Sequence, residues 1–170
     1  MSSHSPTRYS PLWVTLHWIT ALLIFVLLYL GFASVNSLIQ AKPTFLRWHM
    51  PIGTTVLILT IVRLFVRLRT PRPETISSGN PVLDKVAEGI HHLLYLLLFL
   101  IPVSGLLLSL RYNLAAAVFG TAPFPSSLQP FLHGILNFLL IFTLLIHILA
   151  ALYHQFVRRD NLIGRMWYGK

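Results

Sequence analysis

The chain has 170 residues, 55% of them hydrophobic and only 10% charged, with a net charge of +9. Soluble domains carry roughly a quarter charged residues, so an ordinary water-soluble domain is excluded and the surplus apolar surface must face lipid. Cysteine is absent, which excludes disulfides, thiolate-held zinc or iron–sulfur centres and thioether-attached haem; any metal must rest on histidine.

An apolar run from Leu12 to about Ala33, flanked by Trp13 and Trp18, is long enough to cross a bilayer, for which about 20 residues suffice. It exceeds the apolar part of a cleaved signal, usually about 7–15 residues, and reads as an uncleaved anchor. The second span, 48–69, starts near Trp48 with Pro51 in its first turn and stops at Thr70, Pro71, Arg72 and Pro73. The third, 86–110, carries Pro102 and Gly105, which predict a bend rather than a break. The fourth, 130–157, opens at Pro130 and ends before Arg158 and Arg159. Residues 34–47 and 111–129 read as connecting loops, and 70–84 as a loop rich in Pro, Ser and Gly. The expected fold is therefore all-α, an integral membrane four-helix bundle forming one domain over 1–170.

Loop charges assign the orientation. Arg8, Arg63, Arg67, Arg69, Arg72, Lys85, Arg158, Arg159, Arg165 and Lys170 fall on the side of the termini, against Lys42, Arg47 and Arg111 on the other. Positive residues favour the cytoplasmic side, so both termini are expected there. All four acids, Glu74, Asp84, Glu88 and Asp160, share that side, and the opposite face is basic without a counterweight. Basic residues that follow membrane sides rather than one soluble patch argue against nucleic-acid binding.

Seven of the eight histidines lie in or at the ends of the spans: His17, His49, His91, His92, His133, His147 and His154. Ionisable residues within a membrane are costly and default to a functional reading. A lone one is as readily a hydrogen-bonding partner for a neighbouring helix, but seven together are not so explained. His133 and His147 are 14 residues apart, four turns less about 40°, so they share a face roughly 21 Å apart along the axis. His49 matches His133 in depth, and His17 lies on the other side, with His147 or His91 as its partner. Two layers result, each offering imidazoles from different helices. Bare zinc or di-iron sites would want carboxylates nearby, and no span holds an Asp or Glu deep inside. A planar macrocycle clamped from both faces, such as haem b, fits better. Gly53 and Gly134 are the small residues expected to make room beside the ligands.

Tyr9 to Trp13, Leu16-His17-Trp18, Trp48-His49, Val62-Arg63-Leu64, Ile101 to Gly105, the series His133, His147, His154, and Asp160-Asn161 resemble, in their order and spacing, the four-helix bacterial cytochrome b561 family. The resemblance covers nearly the whole chain. It is similar in plan to the cytochrome b subunits of formate dehydrogenase and nickel–iron hydrogenase. It implies two haem b per chain, with His49 and His133 on the outer haem and His17 and His147 on the inner one. Electrons would pass between a periplasmic donor, a small molecule or a protein, and ubiquinone in the bacterial inner membrane. His91, His154 and Arg63 are candidates for haem propionates or quinone, Arg67 for a propionate or a positive-inside anchor, and His92 reads as interfacial. Some relatives are superoxide oxidases, and Lys42, Arg47 and Arg111 would steer such an anion. The alternatives are a subunit of a larger hydrogenase-type or dehydrogenase-type complex and a haem-free structural or assembly protein. No residue is assigned to catalysis, and oligomeric state is not legible.

Overall fold

The computed structural model describes residues 8–38, 40–71 and 73–168; His4, Arg72 and Lys170 lie outside them. Four helices are long and apolar enough to cross a membrane. They are α1 (Pro11–Asn36), α2 (Lys42–Arg69), α3 (Pro81–Tyr112) and α5 (Phe131–Leu152) with its continuation to Arg158; α4 (Leu114–Val118) and α6 (Leu162–Arg165) are short. Large apolar side chains such as Leu22, Phe32, Leu110 and Phe138 point outward, as they do where the solvent is hydrocarbon.

Local chemistry sets the helix starts. Ser10 caps α1 by accepting from the Trp13 N–H at 3.3 Å, with Pro11 in the first turn. Asn80 caps α3 through the Val82 N–H at 2.9 Å, again followed by a proline. Two starts differ from expectation. Helix α2 begins at Lys42, six residues before Trp48, because Pro43 already supplies a first-turn proline; Pro51 is then inside the helix. Helix α3 begins at Pro81, ahead of Lys85, and runs unbroken through Pro102. The 111–129 connection also holds a helical turn, α4, whose Leu114, Ala117 and Val118 are buried. Asn113 makes the corner in the left-handed region at φ 50°, a conformation asparagine tolerates better than most residues. The fourth span ends in a π-helical turn, Tyr153–Arg158, a departure from α geometry that often marks a functional site.

The helices pack as two hairpins: α1 lies on α2, α3 lies on α5, and α2 against α3 joins them. Among the described residues, no Cα of α5 comes within 8 Å of one in α1 or α2. The bundle therefore has a seam between α5 and the first hairpin that backbone packing does not close. Mid-depth, Ile24, Val56, Leu94, Leu97, Leu98, Ile101 and Leu140 form the apolar core. At the end where the termini meet, Tyr9 N–H donates to the Arg165 carbonyl at 3.3 Å and Trp18 Nε1 to the Met166 carbonyl at 2.7 Å. Arg165 also reaches the Glu74 carbonyl at 2.7 Å, tying in the α2–α3 connection. We call this the terminal end and the opposite one the distal end.

Candidate functional site

Imidazoles bridge the open seam at two levels. Toward the distal end, His49 of α2 faces His133 of α5 with ring centres 6.2 Å apart. Toward the terminal end, His17 of α1 faces His147 of α5 at 6.4 Å. Two metal–imidazole bonds of about 2 Å each, plus the reach from each nitrogen to its ring centre, put ring centres roughly 6 Å apart. Both pairs thus have the spacing at which one iron joins two imidazoles, and both span the interface between α5 and the first hairpin. Haem b fits the residues present.

His91 does not share that geometry. Its ring lies edge-on to His147 at 5.2 Å, on the closely packed α3–α5 side, and its Nδ1 donates to the Ala87 carbonyl at 2.7 Å.

Glycines on the facing helices make room for the rings. A Cβ on Gly31 of α1 would sit 3.3 Å from His49 Cε1, and one on Gly105 of α3 would sit 3.4 Å from His133 Cε1. A Cβ on Gly134 would meet nothing within 4 Å, and one on Gly53 only Leu27. The glycines in contact with the rings therefore come from the facing helices α1 and α3 rather than from the helix that carries each histidine.

Polar groups surround both levels. At the distal level, Ser104 Oγ lies 2.8 Å from His133 Nδ1, and Asn137 Nδ2 donates to the His133 carbonyl at 2.7 Å. At the terminal level, Arg63 donates through Nη2 to His17 Nδ1 at 3.2 Å. The guanidiniums of Arg63 and Arg67 lie 5.6 and 5.2 Å from the ring centre of Tyr95, whose hydroxyl is buried without a partner. Sequence reading found the arginines but missed Tyr95 and Ser104, since nothing in an apolar run marks which hydroxyl faces inward. In the π-helical turn His154 Nδ1 donates to Asp160 at 2.6 Å, and Arg158 Nε stands 3.7 Å from the same oxygen. Of the three distal basic residues, Arg47 donates to the Val118 carbonyl at 3.3 Å, Arg111 lies over Tyr112, and Lys42 sits in the first turn of α2. Among the described residues, no group of three or more His, Cys, Asp or Glu is placed to hold a bare metal ion.

A four-span bundle with imidazoles paired across an open seam at two depths defines a membrane cytochrome of the b type. The family model for prokaryotic cytochrome b561 matches residues 8–169, and the chain belongs to that family, whose members are membrane electron-transfer proteins. It is 28% identical to "Cytochrome b561 homolog 2" of Escherichia coli, over 96% of this chain and 93% of the relative. It is 26% identical to "Probable superoxide oxidase CybB" of Yersinia pestis, over 94% and 95%. Identity reaches 30% with "Cytochrome b562" of Cereibacter sphaeroides, over 93% and 94%.

Proposed function

We propose that this chain is a di-haem b oxidoreductase that accepts single electrons at the distal face and delivers them to ubiquinone near the terminal end. The observation that carries the reading is the doubled imidazole pair, at 6.2 and 6.4 Å across the seam. Haem b bound at each level supplies one-electron chemistry. His49 and His133 ligate at the distal level, His17 and His147 at the terminal level. Arg63 and Arg67 offer guanidinium donors to the propionate carboxylates there, and His91 braces His147 from the packed side. His154, its Nδ1–H committed to Asp160, keeps Nε2 for passing a proton to a quinone carbonyl.

For the donor we infer superoxide. The distal ends of α2 and α3 carry Lys42, Arg47 and Arg111, with no acid on that side, a field that draws anions, and one relative bears the name of a superoxide oxidase. Two superoxide ions yield two dioxygen molecules and two electrons, which with two protons convert ubiquinone to ubiquinol. The basic excess at the terminal end favours the cytoplasmic side for that end, and membership of a prokaryotic membrane cytochrome family supports the bacterial inner membrane.

The test is a reduced-minus-oxidised spectrum with haem quantified per chain across a histidine series. Wild type is expected to hold two haems. Alanine at His17, His49, His133 or His147 removes one, whereas His91→Ala and His154→Ala keep both. A pigment-free chain would sink the proposal. Purification only in a stable dehydrogenase-type or hydrogenase-type complex would replace the superoxide donor with a protein partner.

A further inference from the structure

The segment Ile101 to Gly105 has no part in the roles proposed above. Within it, Ser104 is 6% exposed and makes two side-chain contacts. Its Oγ lies 2.7 Å from the carbonyl of Ile101 and 2.8 Å from Nδ1 of His133 on the neighbouring helix. The buried threonines behave differently: Thr20, Thr60 and Thr143 each bond the carbonyl four residues back in their own helix, at 2.6, 2.8 and 2.7 Å.

A hydroxyl has one proton to donate, and a carbonyl oxygen has none. The Ser104 proton is therefore committed to Ile101, and only an oxygen lone pair remains for His133. Nδ1 of His133 must be the donor, which leaves the lone pair on Nε2. Ser104 thus acts with the Ile101 carbonyl, which also faces the ring, to keep the proton on His133 Nδ1 and hold the ring plane, while the missing side chain of Gly105 leaves space for the ring edge. At the partner ring, among the described residues, no side-chain hydroxyl takes this part: the group that faces His49 is the Leu27 carbonyl. On the terminal level the neighbour of His17 Nδ1 is the Arg63 guanidinium at 3.2 Å, which cannot accept from it, so ligation through Nε2 requires Arg63 to turn to another acceptor such as a propionate.

We propose that Ser104 is the positioning residue of the distal redox centre. By fixing the proton on Nδ1 it turns the lone pair of Nε2 into the space facing His49. By accepting from that N–H it makes the imidazole a stronger donor to iron, which favours the oxidised state. The proposal rests on the two-haem reading above.

The experiment compares wild type, Ser104→Ala and Ser104→Thr as full-length purified proteins. Haem per chain, a spectral redox titration and the electron paramagnetic resonance signals of the ferric centres are measured, with the centres assigned from the His17 and His49 variants. Ser104→Ala is expected to raise the distal midpoint by about a tenfold change in the oxidised-to-reduced ratio, 59 mV for a one-electron couple. It should move the distal ferric signal and leave the terminal centre unchanged. Ser104→Thr, which keeps the hydroxyl, should match wild type. Selective loss of the distal haem in the alanine variant, with retention in the threonine variant, also supports the assignment. An unchanged distal centre in Ser104→Ala, an equal shift or loss at both centres, or a threonine variant that behaves like alanine overturns it while the two-haem reading stands. Fewer than two haems in wild type overturns that reading first, and the role of Ser104 with it.

Discussion

Asp160 sits just past the π-helical turn, where Arg159 and Asn161 on either side adopt left-handed backbone at φ 59° and 56°. That tight reversal brings its carboxylate back onto His154, six residues earlier, at 2.6 Å. The carboxylate fixes the proton on Nδ1 and orients the ring, so Asp160→Asn is expected to slow quinone reduction by at least about tenfold. Haem content and reduction from the distal side should be unchanged, as a stopped-flow comparison of haem reduction and reoxidation would reveal. The sequence marked His154 because an imidazole is conspicuous among leucines. It grouped Asp160 with the other acids by membrane side and did not pair it with His154, because the pairing depends on a backbone turn whose left-handed residues, an arginine and an asparagine, give little local warning.

Helix existence and type were legible because runs of more than 20 apolar residues have few alternatives. Boundaries were less so: α2 starts six residues before Trp48 because Pro43, rather than Pro51, opens it. The glycines that touch the rings were not legible for a related reason, since periodicity places residues around one helix but does not say which face of a neighbour they meet. Gly31 illustrates this, contributing from α1 to the surroundings of a histidine on α2. A leucine at Gly31 would drive its side chain into the His49 ring, so Gly31→Leu should lose the distal haem selectively. Leucine at Gly134, where a Cβ would meet nothing within 4 Å, should leave both in place. Pigment per chain, with circular dichroism to confirm that helix content is kept, distinguishes the two.

Across the whole molecule, charge is sorted by end. Ten of the basic residues and all four acids were assigned to the terminal side, and the remaining three basic residues to the distal side. Neutralising Lys42, Arg47 and Arg111 together should slow haem reduction by superoxide about tenfold at low salt, with the difference shrinking as salt is added. Rapid mixing over a salt series reads this directly, and equal rates for variant and wild type at low salt would remove anion steering from the account. Arg47 is also expected to contribute by holding α4 in place through the Val118 carbonyl, so its single replacement should have the largest effect of the three.

The unclosed seam has a consequence for biogenesis. Because each hairpin is stitched internally and the long helices of the two meet closely only where α2 packs on α3, the polypeptide can insert as two preformed halves before any pigment arrives. Ligation at two depths would then rivet the loose edge shut. Maturation on this scheme is a docking event, and its progress should be visible as growing resistance of the first and last spans to being pulled apart by detergent.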